Sequence, residues 1–166
     1  MPKHLLVMRH AKSSWENQNV TDHDRVLNAR GQRDAPRMAQ FVALQDWIPE
    51  KILCSTASRA AETAQLFLSH SETDSISCEY FRSLYHAAPA AYVRELNRLP
   101  DDALETVMVI GHNPGLEELV TRLTQQSVVL PTAAIVLIRL PLHQWNELDL
   151  QTSGECLAVW RPKEIV

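Results

Sequence analysis

The chain has 166 residues, 45% of them apolar, and a formal net charge of −4, which is enough sequence for one domain with an ordinary buried core. That charge excludes a dominant electrostatic attraction to nucleic acid or to an anionic membrane, while leaving room for a small basic pocket. No apolar run reaches bilayer length, no secretory signal is expected, and the four glycines form no nucleotide-binding loop, so no cofactor is implied.

Leu5, Leu6, Val7 and Met8 make an apolar run of strand length that ends in Arg9 and His10. A buried strand is thus expected to deliver a charged pair to its carboxyl end, where ligands bind in open α/β sheets. Residues 13–24 are polar and without period, which predicts a loop over that strand end. Asn28 is the expected N-cap of a helix running to about Asp46, with Ala35, Met38, Ala39 and Val42 at helical spacing. Pro36 implies either a kink there or a shorter helix that starts later.

Lys51-Ile52-Leu53-Cys54 reads as a short strand, followed by an alanine-rich helix to about Ser69. Arg59 falls in its first turn, beside free backbone N–H groups that suit an anion. A loop over residues 70–75 precedes a strand over 76–81. A helix over 89–99 carries a stripe of Tyr92, Val93 and Leu96 and is closed by Pro100-Asp101-Asp102. Thr106-Val107-Met108-Val109-Ile110 is continuously apolar, as in a strand covered on both faces. It ends in Gly111-His112-Asn113-Pro114-Gly115, where Asn113 is a candidate cap and Pro114 a candidate first residue of the next helix. Residues 133–140 and 156–161 read as two further strands. This alternation predicts a single α/β domain over residues 1–166, a three-layer α/β/α sandwich around a mainly parallel sheet with an antiparallel edge strand.

The strand ends therefore offer Arg9 with His10, Arg59, and His112 on one side of the sheet. Two guanidinium forks suit the oxygens of a phosphoryl group. A neutral imidazole is a competent nucleophile toward phosphorus when its other nitrogen is held in one tautomer. A second histidine, kept protonated, would add charge that matters most in the transition state. Taken one at a time these residues have plainer roles, a satisfied buried histidine or a solvated helix arginine. Cys54, Cys78 and Cys156 are odd in number and widely spaced and read as reduced thiols of a cytoplasmic protein; no metal-ligand spacing occurs.

Arg9-His10-Ala11 resembles the Arg-His-Gly signature of the histidine phosphatase (phosphoglycerate mutase-like) superfamily, and Ser55-x-x-x-Arg59-Ala60-x-x-Thr63 and Gly111-His112 resemble its second and third signatures. The short chain without a cap insertion, together with residues 111–115, is similar to the SixA phosphohistidine phosphatase branch. The resemblance implies a phosphoglycerate mutase-like fold, His10 as nucleophile, and Arg9, Arg59 and His112 around the phosphoryl oxygens. It implies a metal-independent reaction that releases inorganic phosphate. Lys12, Ser13, His86 and Asp24 are further candidates for substrate contact, and Glu16 falls where mutase-like members carry a phosphate-touching asparagine. Ala11 in place of glycine requires a backbone that avoids positive φ.

The region Arg82-Ser83-Leu84-Tyr85-His86-Ala87 carries no carboxylate where many phosphomonoesterases of the superfamily place their general acid. An imidazole leaving group departs with less help than an alkoxide, which favours phosphohistidine on a partner protein, a phosphotransfer domain or phosphocarrier, over a small phosphoester. His86, Asp22 and Asp24 remain candidate acids, although the two aspartates also fit as turn formers or partners of Arg25 and Arg30. A phosphomonoesterase or mutase, and a non-catalytic phosphohistidine-binding or phosphate-binding module, are the alternatives.

Overall fold

A computed structural model describes residues 2–71, 73–100 and 104–165. The elements follow in the order β1 (Lys3–Arg9), α1 (Ala29–Leu44), β2 (Lys51–Ser55), α2 (Ser58–Ser69), β3 (Ser77–Phe81), α3 (Pro89–Asn97), β4 (Thr106–Gly111), α4 (Gly115–Thr124), β5 (Ile135–Leu140) and β6 (Glu155–Trp160). Short 3₁₀ turns at Asp22–Asp24, Arg82–Leu84 and Trp145–Glu147 punctuate the loops.

The six strands form one sheet in the order β3-β2-β4-β1-β5-β6. β1, β2, β3 and β4 pair in parallel, and β5 runs against both its neighbours. The antiparallel strand therefore lies one place in from the edge, and β6 forms the edge itself.

The continuous apolar strands divide their side chains between the two faces. Leu5, Val7, Val107 and Val109 pack with Leu96, Leu116, Leu119 and the buried Trp145 under α3 and α4. Leu6, Met8, Met108 and Ile110 pack with Met38, Val42, Ala60 and Phe67 under α1 and α2. Both faces are covered, which is why these strands show no polar alternation.

Asn28 caps α1 as expected, its side-chain oxygen accepting from Gly31 N–H at 2.9 Å. The helix runs through Pro36 to Leu44 without starting later; packing of Ala35, Met38, Ala39 and Val42 against the sheet outweighs the lost backbone hydrogen bond. Asn113 does not cap α4. Pro114 holds the N-cap position, and the Asn113 amide instead donates to the Leu130 carbonyl at 2.9 Å. α3 ends at Asn97, before Pro100, while Asp101 and Asp102 lie outside the described residues, as does Glu72 in the 70–75 loop.

Candidate active site

The carboxyl ends of β2, β4 and β1 are neighbours in the sheet, so the residues that follow them meet at one rim. A pocket of about 210 Å³ opens there, lined by Arg9, His10, Arg59 and His112 from the strand ends and by Lys12, Ser13, Trp15, Asp22, Arg25 and His86 from the loops, with Asn113 and Thr132. All four residues of the signatures converge, as do the candidate contacts Lys12, Ser13 and His86. The pocket is basic inside a chain of net negative charge, with Asp22 its one acidic lining residue.

His10 is buried, with Nδ1 2.7 Å from the Ala11 carbonyl. A carbonyl only accepts, so Nδ1 carries the proton and Nε2 keeps its lone pair. The Nε–H of Arg59 points at that lone pair, at 3.4 Å. Burial pushes the His10 pKa down to about 3, against the Ala11 hydrogen bond and with help from the charges of Arg59, Arg9 and Arg25. The result is a neutral imidazole in a fixed tautomer, its free nitrogen turned to a guanidinium.

Ala11 sits where the family signature has glycine. The non-glycine residues with positive φ among those described are Asp46, His86, Gln125 and Ala133, so Ala11 needs no glycine backbone. Its N–H donates to Thr63 Oγ1 at 2.9 Å, and that hydroxyl donates to the Arg59 carbonyl at 2.7 Å. Thr63 thus ties the loop after His10 to the first turn of α2.

His112 is 2% exposed and its Nε2 lies 2.8 Å from Ser55 Oγ, while its Nδ1 is buried without a protein partner. Burial, followed by the proximity of His10, Arg59 and His86, lowers its pKa to about 2. The expectation of a protonated second histidine is corrected here: in the free protein no carboxylate hydrogen-bonds to His112, and the ring is neutral. Beneath it the Tyr92 hydroxyl accepts the His112 backbone N–H at 3.2 Å. That approach needs Gly111, since a Cβ there would fall 2.1 Å from the Tyr92 oxygen.

Arg9 donates from Nη1 to the Leu130 carbonyl at 3.0 Å, and its Nε is buried with no partner. Arg59 is 3% exposed and nearly saturated. Besides its contact with His10, it donates to the Asp22 carbonyl at 2.6 Å and to Asp22 Oδ2 at 3.1 Å.

Asp22 gathers the loop wall. Its Oδ2 also accepts from the Tyr85 hydroxyl at 2.5 Å and lies 3.0 Å from His86 Nε2, and its Oδ1 accepts from Arg25 Nε at 3.2 Å. Although partial burial acts against it, the hydrogen bonds from Tyr85 and Arg59 and the charges of Arg59 and Arg25 hold the Asp22 carboxyl far below the usual carboxylate range. Arg25 further donates to Ser13 Oγ at 2.9 Å and stacks on Trp15, 3.4 Å from the ring centroid.

Two candidates are corrected. Asp24 points outward, its side chain 63% exposed and 3.4 Å from His23 Nδ1, and it takes no part in the pocket. One turn of 3₁₀ helix turns Asp22 in and Asp24 out. Glu16 is exposed and absent from the lining, so it does not oppose an anion there. Arg25 and Ser55 are site residues that sequence reasoning missed, whereas Asp22, a candidate acid, proves to be the ionised anchor of the loop wall. Ser55 had a signal, as the last residue of a strand inside a family signature, but Asp22 had none that separated it from Asp24.

The sequence model of the histidine phosphatase superfamily (branch 1) matches residues 5–86, the stretch holding Arg9, His10, Arg59 and His86. The chain belongs to this superfamily. This histidine phosphatase is 33% identical over 153 residues to an uncharacterised protein of Mycobacterium tuberculosis, a match covering 86% of this chain and 92% of that one. Its fold is that of a Nakamurella multipartitia structure bearing the SixA phosphohistidine phosphatase description, with a TM-score of 0.85 at 23% identity over 98% of this chain and 97% of the other. The protein histidine phosphatase SixA complexed with tungstate superposes with a TM-score of 0.80 at 23% identity, covering 96% and 97%. The histidine phosphatase is therefore phosphoglycerate mutase-like in architecture, and among its described residues no helix is long and apolar enough to cross a membrane.

Proposed function

We propose that this phosphatase hydrolyses phosphohistidine on a partner protein, a phosphotransfer domain or phosphocarrier of the cytoplasm, through a covalent phosphohistidine at His10. The observation that carries the reading is the locked tautomer of His10, whose Nε2 lone pair faces the Arg59 guanidinium. An incoming phosphoryl group would sit between that nitrogen and the donors of Arg9, Arg59 and His112, which act on charge that grows at the equatorial oxygens. His10 Nε2 attacks phosphorus and the substrate's P–N bond breaks. Water then attacks the phosphoenzyme, His10 leaves as a neutral imidazole still bonded to the Ala11 carbonyl, and inorganic phosphate is released.

The P–N preference is supported by the state of the one carboxylate in the pocket. Asp22 is ionised and held by two arginines, a tyrosine and a histidine, so it has no proton for an alkoxide, whereas an imidazole, with a pKa of about 6.5, departs more readily. The pocket opens at the rim of the sheet with His86 exposed on its wall, which suits a side chain projecting from another protein. The three cysteines are free thiols, in keeping with a reducing compartment.

Side-by-side turnover of a phosphorylated histidine domain and of small phosphomonoesters, with and without chelator, tests this reading. We expect faster turnover of the phosphoprotein, insensitivity to chelator, and a label on the enzyme that survives alkali, is lost in acid and is absent from His10→Ala. Preferential hydrolysis of small esters would overturn the substrate assignment; an active enzyme that never carries the label would overturn the covalent step.

A further inference from the structure

The hydrolysis of the phosphoenzyme needs a group that takes a proton from water, and the clamp supplies none. Arginine guanidinium groups keep their protons, His10 is carrying the phosphoryl group, and His112 is closed off from water, buried with its Nε2 on Ser55 Oγ. The Ser13 hydroxyl is taken by Arg25, and the Asp22 carboxylate by four side chains. His86 remains. It lines the same pocket, its ring centroid stands 5.6 Å from that of His112, and its side chain is 57% exposed, open to water.

The geometry points to a dyad in which Asp22 positions His86 as the proton carrier of the reaction, with the Nδ1 atom of His86 as the acceptor. This rests on the covalent reading above and adds a catalytic residue to it. Asp22 is an ionised carboxylate and accepts only, so the contact of its Oδ2 with His86 Nε2 places the ring proton on Nε2 and leaves the lone pair on Nδ1. Nδ1 makes no hydrogen bond among the described residues. The Tyr85 ring lies against His86 with centroids 4.0 Å apart, and its hydroxyl shares the same carboxylate oxygen, so the imidazole is gripped by an edge contact and a face contact. The backbone of His86 sits at φ 50°, a left-handed conformation that a histidine adopts at some cost. That turn brings the ring to Asp22.

The protons close over the cycle. In the first half-reaction the bond from His10 Nε2 to phosphorus forms as the substrate's P–N bond breaks, and the departing imidazole nitrogen takes its proton from solvent. In the second, the water oxygen bonds to phosphorus as the His10 bond breaks. One water proton passes to the lone pair of His86 Nδ1, the remaining hydroxyl leaves as part of hydrogen phosphate, and the exposed ring returns the proton to solvent.

Phosphoramidate is the probe that isolates the second step, because its leaving nitrogen is already protonated near neutral pH and requires no acid. Asparagine tolerates the left-handed conformation, so His86→Asn keeps the turn while removing the imidazole, and its melting curve is checked against the parent. We expect His86→Asn to label at a rate close to the parent but to lose the label about 10²-fold more slowly. Added imidazole should restore part of the rate. The slowing caused by Asp22→Asn should be smaller in the His86→Asn background than in the parent, as for two residues acting through one group. A label that decays in His86→Asn as in the parent overturns the dyad alone. Failure of phosphoramidate to label the parent overturns the covalent reading, and the dyad with it.

Discussion

The wall of the pocket made by strand ends and the wall made by loops differ in burial as well as in chemistry. His10, Arg59 and His112 are each less than 10% exposed; His10 and His112 follow directly from β1 and β4, which are paired on both sides, and Arg59 sits in the first turn of α2, just after β2. Asp22 and His86 are 39% and 57% exposed at the side chain and are carried by a 3₁₀ turn and by a left-handed residue after one. In the proposed reaction the first wall grips a phosphoryl group on a rigid frame, and the second holds the groups that move protons and meet the leaving side of the substrate. A site divided this way keeps its nucleophile geometry constant while its loops are free to change what the enzyme accepts.

The sharpest way to break the comparison is to remove one member of the rigid wall. His10→Ala should lower turnover by about 10⁴-fold or more, as for other covalent nucleophiles, and abolish labelling, measured by phosphate release and by trapped phosphoenzyme. Arg59→Ala should cost about 10²–10³-fold, the scale of losing a donor to transition-state charge. Arg59 also anchors Asp22, so its loss should loosen both walls, and the loss of His86 should not.

Oxyanion binding probes the buried ring directly. His112 is neutral in the free protein because burial lowers its pKa to about 2, and a dianion placed against it favours the protonated form. Binding of phosphate or tungstate should therefore take up a proton and tighten as pH falls. Calorimetry in buffers of different ionisation enthalpy reads that uptake, and His112→Gln should remove it.

Stability against pH follows from the same burial. The folded pKa values of His10 and His112, about 3 and 2, lie below the unfolded value of about 6.5. Below that value the unfolded chain binds protons that the folded chain does not, so stability falls as pH drops and is unaffected by these groups above it. The slope should approach about 1.4 kcal/mol per pH unit for each ring. Urea melts between pH 6.5 and 5, above the main carboxylate range, should show it, and His10→Gln and His112→Gln should each flatten it. At the small end, Glu16→Gln and Asp24→Asn should leave turnover within about twofold and stability within about 0.5 kcal/mol, since both are exposed outside the pocket.

The rigid wall was legible in the sequence because its causes are local. An apolar run of strand length that stops at a charged residue announces both the strand and the position of its end, and three such ends in a parallel sheet must share a side. The loop wall was legible only in part: Lys12, Ser13 and His86 were expected there and line the pocket, but the choice of Asp22 was not. Asp22 and Asp24 carry the same chemistry two residues apart, and only the sense of a single 3₁₀ turn selects between them. Nor does sequence show that Arg59 is shared between His10 and Asp22, or that the neighbours of His112 leave it uncharged. Those outcomes depend on desolvation and on hydrogen-bond partners 37 to 57 residues distant in the chain. Pro36 misled in the opposite direction: its local preference is strong, and tertiary packing of α1 overrides it.

The contact between Gly111 and Tyr92 restricts how this sequence can drift. Any side chain at 111 collides with the phenol, and that phenol, fully buried in the core beneath α3, also receives the amide of His112. A change at either position leaves the other mismatched, so substitutions at 111 and 92 are expected to occur as a pair or not at all. In this chain the register of the pocket's buried His112 is thus recorded twice, once in the strand that leads to it and once in a helix twenty residues earlier.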